Sequence, residues 1–403
     1  MRSWLGYPKK LWILAIGMVI NITGNSFLWP LTTIYVSEVL GRSITTAGIV
    51  LMLQAAAGMI GSLLGGALYD KIGGRKAILL GIGISITAVI TIALTQIWSV
   101  YLVMMILLGF GNGIIPPTVY AMASGVWPEG GRKTFNLLYV MQNIGVALGT
   151  ALGGIVAEYS FKISFFSNGF TFLFFALLVW FGLNEHIARE PRGTIGFSSV
   201  RNREPKKNRR GFYALLILCL GFMFCWITYV QWQTSLSTYM LFLGYPLSSY
   251  SLLWTINGLL IILLQPFSAV IVRRILPSIR GQLLAGIALF ATTFLVLCLV
   301  HHQYSSFIIG MTIMTIGEIF IWPAVPNGAA QLAPEGKRGF YQGMVNSFAT
   351  AGRMLGPIIG GSIYDNFNIT IMLYVMIFIL FLALTCFGTY SLILRKKLEK
   401  LHG

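Results

Sequence analysis

The chain has 403 residues, of which 56% are apolar and only 10% are charged; its mean hydropathy is +0.79. Soluble domains carry about 25% charge, so this surface is not built for water, and the same hydrophobicity excludes intrinsic disorder. The net charge of +17 would in a soluble protein suggest a nucleic-acid partner; its distribution along the chain excludes one.

Cuts at charges, Gly/Pro clusters and polar tips predict twelve spans: 11–39, 44–69, 77–97, 100–127, 134–158, 165–186, 212–242, 247–272, 282–300, 304–332, 339–364 and 369–394. At about 20 residues per crossing they need about 240 residues, and the longer ones have room to tilt or to continue beyond lipid. The first is too long for a signal peptide and lacks a cleavage site; it carries Asn21, Asn25 and Trp29 before Pro30. The second carries Gln54 and a small-residue stripe, Ala57, Gly61 and Gly65. The loop after it reads GALYDKIGGRK, with Asp70 as its one acid. That carboxylate can pair with Arg75 or face the positive N-terminal end of a neighbouring helix. The fourth span holds Asn112; GFGNGI at 109–114 lies inside that span and so is no phosphate loop.

The fifth and eleventh spans are copies of one another. Residues 128–154 read PEGGRKTFNLLYVMQNIGVALGTALGG, and 334–361 read PEGKRGFYQGMVNSFATAGRMLGPIIGG. Each opens on a Pro-Glu-Gly loop with two cations and closes in glycines four residues apart: Gly145, Gly149 and Gly153, then Gly352, Gly356 and Gly360, with Pro357 in the second copy. Such a face lets another backbone approach closely. Two ladders at equivalent places predict a sliding interface between two halves. The repeat divides the chain into a six-helix bundle at 1–186, a basic linker at 187–210 and a second six-helix bundle at 211–403. Repeats of this kind, with substrate handled at their interface, are a transporter plan.

Of 28 Lys and Arg, 25 fall at the termini, in the linker and in every second loop; Arg42 and Lys162 lie on the other side, and Arg353 lies within a span. Lys/Arg-rich short loops stay inside, so both termini and the linker are expected in the cytoplasm of a plasma membrane, with the lipid bilayer as the chief partner. All four cysteines fall in predicted spans and are expected as free thiols. No Cys/His spacing suggests a metal, the His301–His302 pair reads as a solvated loop, and no cofactor motif or nucleophile–base constellation suggests an enzyme.

The loop at Gly66, Asp70, Lys71, Gly73, Arg75 and Lys76 resembles the loop 2–3 signature of the major facilitator superfamily, with Gly74 where a basic residue is usual. The second ladder resembles the GxxxGPxxGG antiporter signature of its twelve-helix, drug-exporting members; the first has Thr150 in place of the proline. The resemblance covers essentially the whole chain. It implies an all-α polytopic fold of two pseudo-symmetric bundles, a monomer in a bacterial membrane, and alternating access. It also implies that Asp70 latches the outward-open state against the start of helix 11 near Phe340. The latch is one-sided, because Arg273 stands at the equivalent place of the second half. One departure is Ile106, where many drug antiporters carry an arginine in helix 4.

Two charges fall mid-span: Glu318 in the tenth and Arg353 in the eleventh, each about 13 residues or 20 Å in from opposite ends. A charge there costs about 2.5–3.5 kcal/mol or more and is kept only with a partner, a wet cavity or a function. Glu318 can carry a coupling proton, bind a cationic or hydrogen-bonding substrate, or form a fixed ion pair with Arg353. Around it, Asn25, Trp29, Gln54, Asn112, Tyr229, Gln231, Trp232 and Asn257 are expected to line an amphipathic cavity for lipophilic, often cationic ligands. The function expected is proton-coupled export of such compounds. A carrier of one endogenous solute or a lipid or glycolipid flippase on the same scaffold is the alternative, and a non-transporting receptor or scaffold the more distant one.

Overall fold

The computed structural model describes residues 3–4, 6–28, 35–42, 44–159, 161–183 and 207–399. Trp29, Pro30 and residues 187–206 of the expected linker lie outside them. Apart from a two-residue hairpin, Ser3–Trp4 against Tyr7–Pro8, the described chain is built from helices.

The chain divides into two compact units: Met1–Thr194 with Pro334–Ser347, and Ile195–Ala333 with Phe348–Gly403. The long helices of the first half are α1 (Lys9–Leu28), α2 (Ile44–Ile72), α3 (Gly74–Leu94), α4 (Trp98–Val126), α5 (Arg132–Tyr159) and α6 (Phe161–Gly182). In the second half they are α7 (Lys207–Tyr229), α8 (Leu247–Arg274), α9 (Ile279–Leu299), α10 (Tyr304–Leu332), α11 (Arg338–Asn366) and α12 (Ile369–Glu399). A single tight turn at Val230–Trp232 joins α7 to a short helix, Ser235–Phe242. Among the described residues, eight helical stretches are long and apolar enough to cross a bilayer, and a ninth is the bent α8. Their lipid-compatible faces are rich in uncovered Leu, Ile and Phe, such as Phe170, Phe181, Leu259 and Phe378. In water such faces would aggregate; in a bilayer they are solvated.

Each unit pairs its helices by the same scheme. In the first, α1 packs on α5 and α6, α2 on α4, and α3 on α4 and α6. In the second, α7 packs on α12, α8 on α10, and α9 on α10 and α12. The sequence repeat is therefore a repeat of packing.

The glycine ladders follow this scheme, and they correct the expectation of a sliding surface between halves. A Cβ at Gly145 would stand 2.9 Å from the Val19 carbonyl oxygen, and one at Gly149 would strike Thr23 and Ser26, all on α1. A Cβ at Gly352 would stand 2.5 Å from the Met223 carbonyl oxygen, and one at Gly356 would meet Val230 and Ile227, on α7 and its terminal turn. Each ladder thus seats its helix on the first helix of its own bundle. The reason is steric: without side chains the backbones meet directly, and dispersion over that contact replaces a hydrophobic drive that lipid cannot supply. The surroundings of Gly153 lie outside the described residues. In α2, Gly58, Gly61 and Gly65 meet the backbone of α4 at Gly109, Phe110 and Ile114.

All four cysteines are free, Cys219 and Cys225 buried and Cys298 and Cys386 partly so.

Candidate functional site

Glu318 lies in the middle of α10 and is 3% exposed. Asn257, on α8, donates its Nδ2 to Glu318 Oε2 at 2.9 Å and reaches Thr315 Oγ1 at the same distance. The Tyr229 hydroxyl at the end of α7 lies beside the same carboxyl. Thr315 sits one helical turn before Glu318, so both face α8. These partners are neutral. A neutral donor serves the ionised carboxylate, and Asn257 and Tyr229 can each equally accept from the protonated acid.

Arg353 does not close an ion pair with Glu318 in this structure. Its Nη2 donates to Thr350 Oγ1 at 3.0 Å, one turn back on α11, and its guanidinium lies 4.7 Å from the ring centroid of Trp226. Trp226 in turn packs on Trp322 at 4.9 Å and on Tyr229 at 5.4 Å, and Tyr229 packs on Trp254 at 6.0 Å. The two intramembrane charges therefore border one aromatic cluster from opposite ends. Sequence reasoning does not single out Trp322 and Trp254, yet Trp322 stands four residues beyond Glu318, on the same helical face.

Gln231 and Trp232, expected to line the cavity, make their contacts within the packed second unit in this structure. Both are fully buried. The Gln231 amide donates to the carbonyl oxygens of Ile227 and Gly356, each at 2.8 Å, and accepts from Ser235 Oγ at 2.9 Å. Its polar capacity is spent on joining α7 to α11. The Trp232 indole N–H points at Met314 Sδ, 2.8 Å away, within the core.

In the first unit the amides cluster separately. Asn112 Nδ2 donates to Asn25 Oδ1 at 2.8 Å, Asn25 Nδ2 reaches Asn21 Oδ1 at 3.4 Å, and Ser85 Oγ reaches Asn112 Oδ1 at 3.4 Å. Gln54 is half-buried on α2, where its backbone crosses α4 at Gly109. Of the expected cavity amides, Asn257 hydrogen-bonds Glu318.

At the end of α2 the Asp70 carboxylate caps the start of α11: Gly339 N–H donates to Oδ1 at 2.9 Å and Phe340 N–H to Oδ2 at 3.0 Å. Both donors are among the amides that a helix start leaves without intrahelical partners, where the helix dipole also favours an anion. Gly66 is required by this approach, because a Cβ there would strike the Gly339 carbonyl. Gly73 has φ 87° and turns the chain into α3. Arg75 does not pair with Asp70: it donates to the Trp180 carbonyl oxygen at 2.9 Å and lies 4.8 Å from that ring's centroid. Lys76 is exposed. The seam continues past the motif, with Asn346 Nδ2 donating to Ser62 Oγ at 2.5 Å and Ser347 Oγ to the Met59 carbonyl oxygen at 3.1 Å. The signal for it was the spacing Gly339, Gly343, Ser347, a small-residue stripe one turn apart.

Helices with lipid-compatible faces, repeated as two bundles and holding the buried acid Glu318, fit a membrane transporter. The Major Facilitator Superfamily model matches residues 14–292 and 279–401, and the chain belongs to that family. It is 45% identical over 377 residues to the uncharacterized MFS-type transporter YttB of Bacillus subtilis (strain 168), covering 94% of each chain. It is 24% identical to the quinolone resistance protein NorA of Staphylococcus aureus (strain COL), over 89% of this chain and 90% of that one. Among solved structures, the human organic anion transporter MFSD10 aligns with a TM-score of 0.74 over 94% of this chain and 99% of its own, at 16% identity. That last likeness is one of fold alone.

Proposed function

We propose that the protein is a proton-coupled exporter of lipophilic compounds, cations among them, working by alternating access in a bacterial plasma membrane with both termini in the cytoplasm. The observation that carries this reading is Glu318: a carboxyl 3% exposed in mid-helix, hydrogen-bonded by the neutral amide of Asn257 with the neutral Tyr229 beside it. One carboxyl can hold a proton or neutralise an incoming cation, not both at once. Proton and substrate then compete for it, which is the minimum an antiporter needs. The six-helix halves at 1–186 and 211–403, joined by the linker 187–210, are the moving bodies in this scheme. Asp70 on the start of α11 is the contact made and broken in the cycle. The likeness to NorA supports the drug-export side of the reading.

The test is proton-driven uptake of a fluorescent lipophilic cation into inverted vesicles. Glu318→Gln is expected to abolish the proton-driven component while leaving expression and melting temperature near wild type; Glu318→Asp is expected to keep part of it. Undiminished proton-driven uptake by Glu318→Gln would overturn the proposal.

A further inference from the structure

We infer that Arg353 and Trp226 form a seat for the carboxylate of an aromatic substrate. This rests on the transport reading above and adds a substrate class to it. The Arg353 guanidinium carries five N–H donors in a planar fork that matches a carboxylate. Its protein contacts are Thr350, which takes one of them at 3.0 Å, and the π face of Trp226 at 4.7 Å. The Trp226 indole N–H is buried and has no acceptor. The guanidinium thus lies over a ring whose own N–H is unsatisfied, and no carboxylate of the described chain pairs with the guanidinium.

The sign of the missing partner follows from what is already in place. A cation would have to displace Arg353 from the Trp226 face. An anion would add charge-assisted bonds to a guanidinium that keeps its stacking. The fork presents two parallel N–H groups to two oxygens, which a carboxylate can take together. The rings of Trp322 and Phe222, whose centroids stand 4.9 and 6.2 Å from that of Trp226, supply an apolar wall for a ring attached to the carboxylate. A second, cationic group on the same molecule would find the Glu318 carboxyl beyond Tyr229. The seat therefore suits aromatic carboxylates, including those that also carry an amine.

The experiment compares three probes of one shape on the full-length protein in detergent by titration calorimetry: 1-naphthoate, 1-naphthylmethanol and 1-naphthylmethylammonium. The carboxylate is expected to bind about tenfold or more tighter than the alcohol, the worth of a charge-assisted pair. Arg353→Gln should abolish that advantage, Arg353→Lys should retain part of it, and Trp226→Phe should cut it several-fold while keeping the ring. Equal binding of carboxylate and alcohol by wild type overturns the proposal. So does an advantage that survives Arg353→Gln in protein that still binds the alcohol. If Arg353→Gln does not fold, the Arg353→Lys and Trp226→Phe titrations decide by the same criterion. If Glu318→Gln retains its proton-driven uptake while the carboxylate advantage holds, the coupling proposal fails and the seat stands.

Discussion

Asp70 shows how much one side chain can do when its partners are backbone. Hydrogen bonds to a charged group contribute about 1.5–3 kcal/mol each, and two are made here, to Gly339 and Phe340. Asp70→Asn keeps an acceptor oxygen but loses the charge and one of the two acceptors. We expect it to lower efflux about tenfold and the stability of the α2–α11 contact by about 2 kcal/mol, seen in transport rate and in thermal melting of the purified protein. Asp70→Glu should rescue poorly, because an added methylene misplaces both oxygens; full activity in either variant would contradict this role. Asp70 was legible in sequence because its motif fixes both the acid and the glycines that let the backbones meet. Gln231 was not: whether an amide faces a cavity or a neighbouring carbonyl depends on which helix lies opposite. Here Gly356 exposes a carbonyl to it.

At the scale of the helix, the two ladders carry the argument. Overpacking a tight contact costs about 1–3 kcal/mol. Gly352→Ala would set a methyl group 2.5 Å from the Met223 carbonyl, whereas a methyl group at Gly361, beside the last rung, would have nothing within 4 Å. We expect Gly352→Ala to lower the melting temperature by several degrees, about what 1–3 kcal/mol does to a protein of this size. Gly361→Ala should leave it unchanged. Equal effects would mean that the ladder face is misassigned. The ladders themselves were plain from spacing, but their target was not. Spacing reveals that a helix has a smooth face and is silent about which helix meets it; the structure names α1 and α7.

For the molecule as a whole, most of the architecture could be read before any coordinate. Hydropathy located the helices, and the repeat anticipated that both units would pair their helices alike, as they do. What sequence could not supply was the grouping of Pro334–Ser347 with the first unit, since a chain cut at hydrophobic boundaries assigns whole helices. Nor could it separate Glu318 from Arg353, because two opposite charges at equal depth look like a pair until Trp226 is seen under the guanidinium. Orientation remains the broadest prediction. With an impermeant maleimide on intact cells, Lys162→Cys should label and Lys76→Cys should not, both in a background lacking the four native cysteines. Labelling in the reverse sense would invert the assigned topology.

The cap on α11 also bears on heredity. Its donors are main-chain amides, present whatever residue is encoded at 340, so mutation there cannot readily erase them; only proline would remove one. Position 339 is held differently, to the smallest residue, because a Cβ would collide with Gly66. A strain carrying Asp70→Asn accordingly has no single codon in the partner segment through which to restore the lost bond. Revertants should return to aspartate at 70, or arise elsewhere in the chain by changes that favour the same conformation without rebuilding the contact.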